Sequence, residues 1–242
     1  MTTTSFSKAA RDYHHHAHVQ RDLAAWLAEW LPAERTGLVL EVGAGSGVFT
    51  KHLAGWPDGV IATDLSPEMV AVGRGAVPTA SWQVMAAGQP LLGPWDWIVS
   101  SAMLQWAEEP ADIFSAWRAA LAPGGRALGA LFAAGSLPEW RVVAGDDGPV
   151  RWRTPTVWRA ALARAGLSVV RDETTERIFY YSSACEFLRS LHGVGAAPER
   201  RLTAGALRRR LANYDKSFRE PGGRVAATWV FYRFEAAATS ST

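Results

Sequence analysis

The chain has a single cysteine, Cys185, in 242 residues. An internal disulfide and a cysteine-built metal cluster are therefore excluded. Lysine is also scarce: three of the 25 basic residues are Lys and the other 22 are Arg. No apolar run approaches the ~18 residues that would cross a membrane. The opening stretch MTTTSFSKAARDY lacks the apolar core of a signal peptide. A soluble, cytoplasmic protein is the expectation. Internal repeats and low-complexity linkers are missing as well. The length suits one domain over residues 1–242, and the 48% hydrophobic content suits a buried core.

Charge is present but unevenly spread. Residues 1–135 hold eight basic and twelve acidic residues, whereas residues 136–242 hold 17 basic and eleven acidic ones. This asymmetry is read either as preparation for an acidic partner or as the trace of arginine-rich coding. A nucleic-acid partner is not expected, because the net charge is only +2 and no binding motif is recognisable. Four of the six histidines lie in YHHHAHVQ, Tyr13–Gln20. His14 and His18 share a helical face, but no third ligand is evident, so no metal is expected. His14, His15 and His18 are expected to face solvent.

Apolar spacing at Leu23, Trp26, Leu27 and Trp30 predicts a helix over 5–31, ended by Pro32. Strands are predicted at 38–42, 60–63, 81–84, 95–100 and 126–132, and helices at 46–54, from Ser66-Pro67 onward, and at 110–121. After residue 135 a helix is expected from Thr154-Pro155 to Gly166, extended chain at 167–181, helices near 183–192 and 203–216, and a last strand at 226–234. Strands alternating with helices imply a doubly wound, mostly parallel α/β sheet.

The stretch Glu41–Gly47, EVGAGSG, follows a strand and opens onto a turn, as a nucleotide-type loop requires. The dinucleotide fingerprint fails, because its third glycine falls on Val48; a phosphate-binding P-loop fails for want of Gly-Lys-Ser/Thr. Asp64 ends the second strand, where a carboxylate can accept two ribose hydroxyls. The segment after the third strand, QVMAAGQP, contains no acid.

E-x-G-x-G-x-G resembles the first motif of class I S-adenosylmethionine-dependent methyltransferases, and the likeness extends over Leu38–Phe132. Further stretches are Tyr13…His16-Ala17…Gln20, Leu104-Gln105-Trp106, Gly135-Ser136-Leu137-Pro138-Glu139 and Leu188–Ala196, LRSLHGVGA. Together they resemble the malonyl-acyl-carrier-protein O-methyltransferases of biotin synthesis, with His192 in place of the usual Lys and Ser101 where Asn is common. The resemblance implies a seven-stranded Rossmann-like sheet with an N-terminal lid helix (1–31), a cofactor half (38–135) and a substrate half (136–242) carrying a helical insertion at about 182–222. It implies S-adenosylmethionine as cofactor, held by Tyr13, Gln20, Glu41, Gly43, Gly45, Gly47, Asp64, Leu65, Met85, Ala86 and Ser100. Adenine is expected on Met85 and on the backbone near Ala86 and Ala87, with Gln89 as a stand-in for the missing acid. Substrate contacts are expected from Gln105, Trp106, Arg141, Arg189 and His192, with Arg189 as the foremost carboxylate partner. The thioester is expected on an acyl carrier protein or on coenzyme A. Arg200, Arg201, Arg208, Arg209 and Arg210 are expected to form a docking patch for an acidic carrier. A malonyl carboxylate is already ionised, so no acid–base residue is expected and alignment carries the catalysis. Another small-acid or quinone methyltransferase, and a non-catalytic assembly protein lacking good cofactor affinity, are the alternatives.

Overall fold

The computed structural model describes residues 16–89, 93–145, 152–194 and 203–239. Five parallel strands come first: β1 (Val39–Val42), β2 (Val60–Asp64), β3 (Ser81–Val84), β4 (Trp95–Ser101) and β5 (Leu121–Phe132). β6 (Leu167–Tyr181) and β7 (Val225–Ala238) complete a seven-stranded sheet in the order β3-β2-β1-β4-β5-β7-β6, with β7 antiparallel to both neighbours. Every residue of β1, VLEV, is buried, as befits a central parallel strand covered on both faces. The order reverses between β1 and β4, which opens a crevice at the carboxyl ends of these strands.

The helices begin where the sequence supplies caps. α1 (His18–Ala28) turns Val19, Leu23, Trp26 and Leu27 inward. α2 (Pro67–Ala76) has Ser66 as N-cap, its hydroxyl accepting from Met69 N–H at 3.2 Å. α3 (Pro110–Ala120) also starts on proline. Thr154 caps α5 (Pro155–Arg164) in the same way. The stretch 46–54 departs from expectation. It forms one 3-10 turn, Thr50–Leu53, because Gly43, Gly45 and Gly47 hold φ at +72°, +56° and +87° and keep the chain out of the right-handed region.

The Gly135–Glu139 stretch proves to be a joint in the sheet. β5 stops at Phe132, paired with Phe231, while β7 still extends to Val225 beyond that point. On the edge facing β5, Val230 and Thr228 would be left without ladder partners. Ala133 N–H donates to Val230 O (2.8 Å) and Leu137 N–H to Thr228 O (2.7 Å). The Ser136 hydroxyl accepts from Val230 N–H (3.0 Å), and both Glu139 oxygens lie 3.1 Å from Thr228 N–H. The Thr228 hydroxyl also donates to Glu139. Two side chains thus continue the ladder. Leu137 adopts a left-handed conformation, φ +55°, to turn the chain into α4 (Pro138–Ala144).

The insertion between β6 and β7 consists of α6 (Ala184–Gly193) and α7 (Ala204–Phe218). It is fastened to α4 by aromatic packing. Phe187 stacks on Tyr214 at 5.4 Å between centroids, and Trp140 lies 6.0 and 6.2 Å from them. The Tyr214 hydroxyl donates to Ala226 O at 2.6 Å, and Asp215 accepts from Ala184 N–H at 2.8 Å. At the other end of the molecule, Arg233 of β7 lies between Trp26 (4.0 Å) and Trp30 (4.3 Å) and pairs with Glu173 (2.6 Å) and Glu29 (3.0 Å). This clamp fixes the C-terminal end of α1 to the sheet.

His18 does not face solvent as expected. It is half-buried, bonded through Nε2 to the Tyr181 hydroxyl at 3.0 Å and set edge-on to the Phe179 and Tyr181 rings. Burial, with Arg21 nearby, pushes its imidazole below the ordinary histidine range.

Removing the Glu139 carboxylate orphans a buried N–H. Glu139→Ala is expected to lower unfolding stability by about 2 kcal/mol, and Glu139→Gln, which keeps one acceptor, by distinctly less. Urea melts with an unchanged midpoint for Glu139→Ala would reject the joint.

Candidate active site

A cavity of about 340 Å³ opens in the crevice at the carboxyl ends of β1, β2 and β4. That size suits a nucleoside-bearing ligand. Its floor is the glycine loop after β1. A Cβ on Gly43 would collide with Met103, so the left-handed turn and the close approach both require glycine there. A Cβ on Gly45 would meet nothing within 4 Å, so that backbone edge is open to a ligand. Gly47 packs instead toward Val77 and Trp82, outside the cavity lining.

Two carboxylates face the cavity. Asp64, at the end of β2, accepts from Gly45 N–H and Ser66 N–H, each at 2.9 Å. It thereby links the glycine loop to the start of α2. Burial lifts its carboxyl above the ordinary range, and the N–H groups of Ser66, Gly45 and Leu65 pull it back. Glu41, in β1, is fully buried, and its Oε2 has no hydrogen-bond partner among the described residues. Burial pushes its carboxyl up to about 8, with the Thr50 hydroxyl lowering it and the Asp64 charge raising it. An unpartnered buried carboxylate beside an open backbone edge suits a cation. Gln20, buried on α1, presents a second unpartnered acceptor, Oε1, and also lines the cavity.

Leu65 and Met85 line the cavity, as do Ala87, Gly88 and Ile113. Ala86 does not: the Gln89 side chain accepts from its N–H at 3.0 Å, and its carbonyl accepts from Gln89 N–H at 3.0 Å. Gln89 therefore spends its amide oxygen on the adjacent backbone. Ser100 is buried within β4 and lies outside the lining; the next residue, Ser101, takes that place. Strand alternation sends the two side chains to opposite faces. Ala102 then adopts φ +57°, which swings Met103 against the loop, and Trp106 forms a wall. Gln105 is turned inward, its Nε2 donating to Ala102 O at 2.6 Å.

The expected substrate cations are elsewhere. Arg141 on α4 and Arg189 and His192 on α6 are exposed, and none lines the cavity. His192 Nδ1 donates to Leu188 O at 2.8 Å within its own helix. Tyr13, Arg200 and Arg201 lie outside the described residues.

Sequence reading missed one meeting. The His16 ring rests against Gly193, where any Cβ would collide with it. The Tyr13–Gln20 and Leu188–Ala196 stretches, some 170 residues apart, thus touch. The glycine in LHGVG, facing an aromatic ring of the other family-like stretch, was the available signal.

A family model described as "Methyltransferase domain" matches residues 13–172. The malonyl-acyl-carrier-protein O-methyltransferase of Herminiimonas arsenicoxydans is 32% identical, over 79% of this chain and 76% of that one. The biotin biosynthesis bifunctional protein BioHC of Cellvibrio japonicus is 31% identical over 94% of this chain and 48% of its own length. The chain thus spans about half of such bifunctional relatives. Among solved structures, the YcgJ protein of Bacillus subtilis superposes with a TM-score of 0.69 at 15% identity, over 91% of this chain and 99% of that one. At that identity the likeness shows the fold alone.

The Glu41 carboxyl gives a pH signature. A cationic ligand group favours the ionised carboxylate, whereas the empty site holds its proton below pH about 8. Binding of S-adenosylhomocysteine must then expel that proton, so affinity is expected to fall up to about tenfold per pH unit as pH drops below that value. The profile should level off above it, and Glu41→Gln should flatten it throughout. Calorimetry between about pH 6 and 9 measures this, and a flat wild-type profile would reject Glu41 as the cation's partner.

Proposed function

Because the chain belongs to the malonyl-acyl-carrier-protein O-methyltransferases, within the S-adenosylmethionine-dependent methyltransferases, we propose that it methylates the free carboxylate of a malonyl thioester in biotin synthesis. The observation that carries this reading is the cavity. It sets two buried, unpartnered acceptors, Glu41 Oε2 and Gln20 Oε1, next to an open glycine edge and a ribose-type carboxylate, Asp64. When bound, S-adenosylmethionine supplies an activated methyl group on a cationic sulfur. Gly43, Gly45, Glu41 and Gln20 hold its amino-acid end. Asp64 and Leu65 take the ribose, and Met85 packs on the base.

Trp106 and Ser101 form the side of the cavity that meets the acceptor. A malonyl carboxylate arrives ionised, so no side chain has to remove a proton. The chain contributes alignment and exclusion of water. Among the described residues no Arg, Lys or His lines the cavity. A carboxylate nucleophile left without a strong cationic partner keeps its reactivity, because tight ion pairing would stabilise it more than the transition state. Arg141, Arg189 and His192, exposed on α4 and α6, then act at the outer mouth, on the arm and surface that deliver the thioester. Arg208 and Arg209 are exposed on α7, and Lys216 follows Arg209 by seven residues on the same face. This face docks an acidic carrier protein, while Arg210 is half-buried and engaged within the chain. A cytoplasmic setting fits that partner.

The uncharged acceptor side also favours a second reading, methylation of a less anionic small molecule on the same scaffold. Mass spectrometry of malonyl carrier protein incubated with cofactor separates the two. One added methyl supports the first; methylation of free small acids but not of the thioester supports the second. The double variant Arg208→Glu/Arg209→Glu is expected to raise KM for the carrier protein about tenfold at low salt with kcat unchanged. An unchanged KM would reject α7 as the docking face.

A further inference from the structure

The polar inventory of the cavity is lopsided. β1, β2 and β3 follow one another outward in the sheet. Glu41 sits in β1, Asp64 at the end of β2, and Met85 just past β3. A nucleoside whose charged end meets Glu41 and whose ribose meets Asp64 has its base beyond both, against the segment that leaves β3. There the lining consists of Met85, Ala87 and Gly88, faced by Ile113 of α3 and Met69 of α2. All three methionines that follow Met1 (Met69, Met85 and Met103) line this cavity.

The side chains of these described residues carry no hydrogen-bonding nitrogen or oxygen. Glu41 and Asp64 are the only acids lining the cavity among the described residues, and both belong to the other end. The Ala86 N–H and C=O are both taken up by Gln89, whose side-chain oxygen is thereby spent. A Cβ built at Gly88 finds its nearest neighbour, Ile113 Cγ1, at 4.0 Å, so aliphatic carbon lies beside this segment.

A site that reads an exocyclic amine with a carboxylate rejects the analogue lacking it by ~10⁴-fold. A thioether and aliphatic wall holds a purine by dispersion and contact with its face, and does not tell an amine from a carbonyl at the ring edge. We propose that this chain accepts the 6-oxo, hypoxanthine form of its cofactor nearly as well as the adenine form, with Met85 as the residue that sets this indifference. The proposal rests on the cofactor reading above.

The test is calorimetry on the full chain with two probes, S-adenosylhomocysteine and S-inosylhomocysteine. Their dissociation constants are expected to agree within about threefold, and a preference above about 30-fold for the adenosyl form would overturn the proposal. Met85→Asp installs an acceptor where the thioether stands and is expected to create an adenosyl preference of about tenfold or more. Met85→Leu is expected to keep the wild-type ratio; a ratio that shifts toward adenosine in Met85→Leu overturns the role of Met85. Should Met85→Asp fail to fold, the wild-type and Met85→Leu ratios decide alone. Wild type that binds neither probe would overturn the cofactor reading with the proposal, whereas binding of the adenosyl probe alone overturns the proposal only.

Discussion

Backbone donors stranded where strands end are the constraint around which this molecule is arranged. A buried N–H without an acceptor costs about 1–3 kcal/mol, so each must be answered locally. The carboxyl-end rim of the sheet answers with side chains. Asp64 receives Gly45 and Ser66. Ser136 and Glu139 receive Val230 and Thr228. Asp215 receives Ala184. These residues join, in turn, the glycine loop to α2, α4 to β7, and α6 to α7. Carboxylates and a hydroxyl at strand and helix ends therefore add to the apolar core in fixing the crevice and the insertion.

The electrostatics of the cavity follow from the same economy. Asp64 serves the backbone first, and its remaining lone pairs are open to a ligand. Glu41 Oε2 has no partner among the described residues, and burial holds the carboxyl far above the ordinary range. Its ionised form is costly unless a cation arrives, so the site is selective for a ligand that brings its own positive charge. No opposite arrangement for anions exists among the lining residues. On the malonyl reading proposed above the acceptor is anionic, and the lining offers it no fixed cation.

Much of this was legible in the residues. Short apolar strands separated by capped helices, with EVGAGSG after the first strand, specify the parallel half and the place of the crevice. Asp64 was singled out by its place at a strand end and Gln20 by the family resemblance, and both line the cavity. Other features depended on three-dimensional closure. Whether Ser100 or Ser101 lines the cavity turns on a one-residue register at a strand end, which alternation alone leaves open. Arg141 and Arg189 do not line the cavity, because helix orientation and not charge type decides what a side chain faces. Gly135–Glu139 could be recognised as distinctive, yet its work as a substitute ladder emerges only when β7 is seen to outrun β5. His18 was assigned to solvent because its partner, Tyr181, is 163 residues away.

The contacts of His16 with Gly193 and of His18 with Tyr181 have a mechanical consequence. Gln20 is half a helical turn beyond His18 on α1, so the start of this cavity-lining helix is pinned to the end of β6 and to the C-terminal end of α6. Any displacement of the start of this helix is therefore passed to the strand end and the helix end that carry the insertion.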